Sequence, residues 1–113
     1  MSDDQRESFL DSMRRTGAAH ARARGERVFI EEFKKSKLAM LMKVAEVAGH
    51  KTVASQEREA YADPSYVELI EGLRVSVEEE QRLFWELQVL QYRFEKWRTQ
   101  QANNRAEMQH YRG

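Results

Sequence analysis

Apolar residues recur at alternating spacings of three and four along the last part of the chain. The stripe comprises Tyr66, Leu69, Ile70, Leu73, Val77, Leu83, Leu87, Leu90, Phe94 and Trp97. This spacing is typical of one face of an α-helix. Glu80 interrupts the stripe, and Gly72 is the one helix breaker between Pro64 and Gly113. The pattern therefore predicts a long helix over about 64–110, and even 40 helical residues would extend about 60 Å.

Two shorter helices are predicted before it. Apolar residues at helical spacing predict a helix over about 26–48, and Gly49 follows it where a left-handed C-cap is expected. Thr52 is suited to cap a second helix over about 52–62. The pair Asp63-Pro64 marks the next boundary, because aspartate is a preferred N-cap and proline is favoured at the first helical position.

Residues 1–24 contain many alanines and arginines but few large apolar side chains. Alanine permits a helix, but nothing in this segment requires packing. The sequence predicts a flexible basic arm over residues 1–24, followed by one helical domain over residues 25–113. The predicted fold class is all-α: a helical hairpin or bundle with coiled-coil character and a long C-terminal helix.

Between residues 83 and 97 the apolar residues spread around most of the helix circumference. A helix of this kind is buried on more than one side. The predicted helix 26–48 is not sufficient to cover it, so a homo-oligomer is predicted, with a binding face for another protein as the alternative. The predicted subunit interface consists of Leu83, Phe84, Trp85, Leu87, Leu90, Phe94 and Trp97.

The charges form blocks although the 113-residue chain is neutral overall, with 19 basic and 19 acidic residues. Residues 12–58 carry eleven positive and five negative groups, whereas residues 59–95 carry three positive and nine negative ones. The chain has no cysteine, no secretory signal pattern and no apolar run near the roughly 20 residues that span a bilayer. We expect a cytoplasmic protein without membrane contact.

The sequence contains no catalytic signature. His20, His50 and His110 lie far apart, and the run Glu78–Glu80 points to different sides of a helix. No phosphate-binding glycine loop, nucleophile elbow or Glu-x-x-His pair occurs. We therefore expect no enzyme activity, no metal site, no cofactor and no small-molecule substrate.

Basic side chains suggest a binding role instead, because lysine and arginine neutralise nucleic-acid phosphates. The candidate residues are Lys34, Lys35, Lys37, Lys43, Lys51 and Arg58. A solvated lysine face is the alternative for those on the first predicted helix. An oligomer would let several weak basic patches act together through their effective concentration.

The layout resembles that of small helical proteins encoded in the recombination gene clusters of tailed bacteriophages, and distantly that of UvsY-type recombination mediators. The resemblance covers roughly residues 30–100. The matching features are the lysine-rich helix 34–43, the polar segment 58–62, the helix that begins at Tyr66 and its end at Trp97-Arg98-Thr99. It implies an all-helical ring-forming protein that binds single-stranded DNA near the middle of the chain, with Lys43, Lys51 and Arg58 as candidates.

The predicted function is therefore that of a non-enzymatic oligomeric phage protein acting in the host cytoplasm. It would bind single-stranded DNA, or a complex of DNA with a recombinase or a single-strand-binding protein. The alternative is a protein-binding inhibitor or adaptor, including an inhibitor of host defence of the anti-CRISPR kind. Its acidic 59–95 surface would meet a basic site on a host protein.

Overall fold

A computed structural model describes residues 2–112 of the chain. It contains three α-helices: α1 (Ser2–Val47), α2 (Val53–Ala62) and α3 (Pro64–Arg112). Within these described residues, only 48–52 and 63 lie outside helices, and there is no strand. The predicted all-α fold with a long C-terminal helix is confirmed.

The N-terminal segment differs from the prediction. α1 runs without a break from Ser2 to Val47, so residues 2–24 are helical and no helix begins near Glu26. Alanines give this stretch a high helix propensity. Phe9 supplies the packing that the sequence did not reveal, because its ring lies 5.8 Å from that of Phe94. Met1 and Gly113, which the predicted ranges included, lie outside the described residues.

The end of α1 follows from glycine geometry. Gly49 has a φ of 111°, in the left-handed region that side chains disfavour. The N–H of His50 donates to the carbonyl of Ala45 at 3.0 Å, and that of Gly49 donates to the carbonyl of Glu46 at 3.1 Å. These two bonds satisfy carbonyls that the helix end leaves free.

Side-chain caps set the starts of α2 and α3. The Thr52 hydroxyl accepts from the backbone N–H of Ser55 at 3.1 Å. The Asp63 carboxylate accepts from the Ser65 hydroxyl at 2.5 Å and from the Ser65 N–H at 2.8 Å, which lowers the pKa of Asp63. Pro64 is the first residue of α3. Proline is favoured at this position because the first N–H groups of a helix have no partner within the helix.

One compact unit consists of residues 2–20 of α1 and residues 82–112 of α3. Here the two helices run antiparallel, since Phe9 contacts Phe94 and Trp97 while His20 contacts Phe84. The Trp97 indole N–H also donates to the Gln5 side-chain oxygen at 3.0 Å. We call this unit 1; its buried residues are Thr16 and Leu83, and aromatic rings contribute to the contact between the two helices.

The other unit consists of Ala21–Gln81 and contains the rest of α1, all of α2 and the first part of α3. Its buried apolar residues are Ile30, Ala45, Ala60 and Tyr66. Arg27 of α1 binds the carboxylate of Glu80 of α3 through Nε and through Nη2, the latter at 3.2 Å. We call this unit 2; its helix contact includes a bidentate ion pair.

Apart from Ser65 and Gly72, the buried and half-buried residues of α3 follow a spacing of three and four. We call them the inner face: Tyr66, Leu69, Leu73, Ser76, Glu80, Leu83, Leu87, Leu90, Phe94, Trp97 and Gln101. This is the spacing of a coiled-coil contact. Ile70 and Val77, which the sequence placed in the stripe, are exposed. Glu80 does not interrupt the inner face, because Arg27 pairs with it there.

Candidate nucleic-acid interface

The residues predicted to join subunits divide into two groups. Leu83 is only 6% exposed, and Leu87, Leu90, Phe94 and Trp97 are half-buried on the inner face. The prediction of a subunit interface assumed that residues 26–48 were the intrachain neighbour of this segment. In unit 1 that neighbour is the N-terminal part of α1, where Phe9 contacts both Phe94 and Trp97.

Phe84 and Trp85 form the second group, since both remain exposed. Trp85 is 63% exposed, and two more residues of unit 1 lie on the same side of α3: Val89 at 47% and Tyr92 at 70%. Their positions i, i+4 and i+7 place them on one side of a helix, opposite the inner face.

Basic side chains accompany these apolar ones. Arg93 and Lys96 are exposed, and neither has an ion pair among the residues that the structure describes. Lys96 lies one helical turn after Tyr92, and Arg93 lies one turn after Val89 at the edge nearer α1, where it also lines a cleft with Gln5 and Phe9. We call the set Trp85, Val89, Tyr92, Arg93 and Lys96 the outer face of α3. It combines aromatic surface with free positive charge.

The nearest carboxylates on α3 are already paired. The Glu86 carboxylate binds Arg82 at 3.0 Å, and the Glu95 carboxylate binds Arg98 at 3.2 Å. Their negative charge is thus partly neutralised by other residues. This leaves the charges of Arg93 and Lys96 to determine the electrostatics of the outer face.

The four predicted lysines of α1 do not share one side of the helix. A helix turns about 100° per residue, so Lys34 and Lys37 share one side, whereas Lys35 and Lys43 point to other sides. Lys34 and Lys37 are half-buried, and Lys35 pairs with Glu32 at 3.6 Å. The structure therefore does not assemble these four residues into one basic surface.

Lys43, Lys51 and Arg58 are exposed and have no ion pair within residues 2–112. They lie near the turn between α1 and α2. The same stretch of sequence, residues 43–59, also contains three acidic residues: Glu46, Glu57 and Glu59. Three basic and three acidic groups leave this part of the chain without net positive charge.

Unit 1 also has an open polar cleft of about 550 Å³. Arg6, Arg98 and Arg105 line it together with Trp97 and Gln101. Arg98 is held by Glu95 and lies 5.8 Å from the centre of the Phe94 ring. The cleft thus offers two further arginines without an ion pair in the described chain, Arg6 and Arg105.

The histidines take part in local packing. His20 lies against Phe84 and His110 against Tyr111. His50 contacts the Ser55 hydroxyl at 2.6 Å through Nδ1 and the Glu59 carboxylate at 3.9 Å through Nε2. Among residues 2–112 no three metal-ligating side chains come together.

The acidic segment 59–95 is less available than its composition suggests. Arg74 binds both Glu71 and Glu78, and the hydrogen bond from Arg74 lowers the pKa of Glu71. Glu80 is held by Arg27. In the described part of the chain, no helix is both apolar and long enough to traverse a bilayer.

The outer face is only partly visible in the sequence. Its apolar residues lie outside the stripe, which is why the apolar circumference of the helix widens between residues 83 and 97. The predicted interface contains Trp85 but omits Val89 and Tyr92, and it does not separate residues with an intrachain partner from those without one.

No family model, curated protein or solved structure matches this chain significantly.

Proposed function

We propose that this chain is a non-enzymatic protein that binds single-stranded DNA with the outer face of α3. The observation that carries the proposal is the combination of exposed Trp85 and Tyr92 with unpaired Arg93 and Lys96 on one helix surface. Proteins that bind single strands combine aromatic platforms with basic side chains that follow the backbone. The resemblance to phage recombination proteins supports the same class of ligand.

The spacing suits an extended strand. Trp85 and Tyr92 are seven residues apart, a rise of about 10 Å along the helix. Unpaired bases have exposed ring faces that stack on aromatic side chains regardless of base identity. Arg93 and Lys96 would neutralise neighbouring phosphates and release counterions.

A second candidate is a protein partner with an acidic amphipathic helix. It is favoured by Val89, whose aliphatic side chain between Trp85 and Tyr92 completes an i, i+4, i+7 set. Such sets are typical of helix recognition, and tryptophan and tyrosine are frequent in the central residues of interfaces. In this case the chain would be an adaptor or inhibitor whose partner is acidic, unlike the basic partner predicted from the sequence.

Titration of the protein with a fluorescent single-stranded oligonucleotide across a salt series separates the two. We expect affinity to fall steeply with salt. Replacing both Arg93 and Lys96 by Glu should weaken binding and reduce the slope of log affinity against log salt by about 1.4. The double variant Trp85→Ala, Tyr92→Ala should weaken binding by about 30-fold or more, given the usual energy of base stacking for two residues.

The matched control is the double variant Lys51→Glu, Arg58→Glu, which reverses the same number of charges outside the outer face. A larger loss in this control than in the outer-face variants would move the site to the turn between α1 and α2. Absence of oligonucleotide binding by the unaltered chain at low salt would reject the DNA proposal. Binding of an acidic amphipathic peptide in its place would support the second candidate.

A further inference from the structure

A separate apolar surface lies on α1 in unit 2. Phe29 is 62% exposed and Val47 is 84% exposed, and three more exposed apolar residues lie between them. The members are Phe29, Phe33, Met40, Val44 and Val47, with Ser36 filling the remaining position of the spacing. Residues spaced by three and four share one side of a helix. We call this set the α1 surface; it has no residue in common with the predicted subunit interface.

The two ends of the α1 surface have different shapes. At one end the rings of Phe29 and Phe33 stack 5.8 Å apart and nearly parallel, with 6° between their planes. At the other end a shallow apolar cleft of about 290 Å³ is lined by Met40, Lys43, Val44 and Val47. One end therefore presents bulky rings, and the other presents a depression bordered mainly by aliphatic side chains.

We propose that a second copy of this chain covers the α1 surface, with the two α1 helices antiparallel and related by a two-fold axis. The axis passes near residue 38, so residue 29 of each copy lies opposite residue 47 of the other. In this register, the Phe29–Phe33 pair of each copy enters the cleft of the other copy. A two-fold interface requires a self-complementary surface of this kind.

The charges beside the α1 surface support the same arrangement. Glu32 and Lys43 border it on one side, and an axis near residue 38 brings Glu32 opposite Lys43 of the second copy. Lys43 has no ion pair in the described chain, and Glu32 has only the exposed partner Lys35. In a parallel arrangement this flank of one copy would lie on the opposite side of the contact from the same flank of the other copy, so Glu32 and Lys43 would not meet. The pattern therefore favours an antiparallel second copy over a parallel one.

The contact would extend over 19 residues of α1, about 28 Å of helix. It lies within unit 2, whereas the outer face of α3 lies within unit 1. The dimer is therefore independent of the DNA proposal, and either can fail alone. If both hold, each dimer carries two DNA-binding surfaces, which raises apparent affinity for strands that reach both.

Sedimentation equilibrium of the full chain over a wide concentration range tests the dimer. We expect a monomer–dimer equilibrium. Glu32→Lys and Lys43→Glu should each raise the dissociation constant by about tenfold, since each creates two like-charged pairs across the axis. The combined variant Glu32→Lys, Lys43→Glu should restore it to near the original value. Phe33→Glu should abolish the dimer at all accessible concentrations.

Circular dichroism of each variant verifies that it remains helical, which is expected because the substituted residues are exposed. A monomer at every concentration overturns the proposal. A dimer that is insensitive to Phe33→Glu also overturns it, as does one that the combined charge exchange does not restore. Either of those results would place the subunit contact on another surface.

Cysteine cross-linking determines which residues of the two α1 helices lie opposite each other. Single cysteines can be introduced for this purpose because the chain has no cysteine of its own. A mixture of Phe29→Cys and Val47→Cys chains should form disulfide-linked pairs on mild oxidation. Each variant alone should not, since two copies of residue 29 would lie about 27 Å apart along the helices. Efficient cross-linking of either variant alone would contradict the antiparallel register.

Discussion

The inner and outer faces of α3 in unit 1 are similar in composition but different in environment. The inner face includes Leu83, Phe94 and Trp97, and the outer face includes Trp85 and Tyr92. Each presents a tryptophan and another aromatic ring at helical spacing. Phe9 of α1 packs against the inner face, whereas Trp85 and Tyr92 of the outer face remain 63% and 70% exposed. The difference shows that the chain's own N-terminal helix, rather than the apolarity of a face, determines which face is buried.

Substitutions on the inner face and on the outer face should therefore change different properties of the chain. Burial of apolar area contributes to folding in proportion to the area removed from water. Leu83 is 6% exposed, so nearly all of its apolar area is removed from water on folding. Trp85 is 63% exposed, so most of its surface remains in water. Inner-face residues should affect stability, and outer-face residues should affect binding.

The largest expected effect is that of Leu83→Ala. Truncating a buried leucine removes its transfer energy and leaves a cavity, so we expect a loss of roughly 2–4 kcal/mol in the free energy of unfolding. Urea denaturation followed by circular dichroism measures it. The matched control is Trp85→Ala, two residues away on the outer face, which should change stability by less than about 0.5 kcal/mol. Equal effects of the two substitutions would remove the distinction between the faces.

A second and smaller effect tests whether the polar part of the inner face contributes to the helix contact. Arg27→Ala leaves the Glu80 carboxylate, whose side chain is 14% exposed, without its bidentate partner. Loss of this bidentate partner destabilises a largely buried carboxylate, so this variant should unfold at lower urea than the original chain but at higher urea than Leu83→Ala.

The control replaces both members of that pair, Arg27→Met with Glu80→Leu. Apolar residues of similar size avoid the unpaired charge, and stability should return to near or above the original value. An equal loss in the single and double variants would mean that packing of the Arg27 side chain, rather than its charge pairing, holds unit 2 together at this point.

The sequence was sufficient for most of the fold. Asp63-Pro64, Thr52 and Gly49 mark helix ends through local chemistry, and each boundary lies within one or two residues of the prediction. The N-terminal half of α1 could not be predicted in the same way. Its helix is stabilised by a contact between Phe9 and Phe94, which are 85 positions apart, and a local pattern contains no information about such a contact.

The candidate site was predicted less well for a related reason. Trp85, Leu87 and Trp97 all belong to one apolar segment, and their separation into exposed and buried residues depends on where α1 lies. The lysines of α1 illustrate a second limit, since proximity in sequence suggested a common surface for side chains that the helix directs apart. Exposure and angular position, rather than composition, identify the outer face.

A third test concerns a polar contact at the edge of the inner face. The Trp97 indole donates to the Gln5 side chain at 3.0 Å, and its ring also packs on Phe9. Trp97→Phe keeps an aromatic ring but removes the donor, so we expect a loss of about 0.5–1 kcal/mol, the usual net value of one hydrogen bond. Gln5→Ala is the control and should cost a similar amount. If Trp97→Phe costs much more than Gln5→Ala, the difference reports ring packing rather than the hydrogen bond.

The smallest effect concerns the residue that precedes the inner face. Hydrogen bonds from Ser65 lower the pKa of Asp63 in the folded chain. A carboxyl group with a lowered folded pKa stabilises the fold above its unfolded pKa of about 4, and that contribution is lost as the pH falls through the folded value. Asp63→Asn keeps a capping oxygen but does not titrate. The stability difference between the original chain and this variant, measured by urea denaturation from neutral to acid pH, should therefore shrink below about pH 4. A difference that is constant with pH would mean that Asp63 caps α3 by hydrogen bonding alone, and that its charge contributes nothing to the start of the inner face.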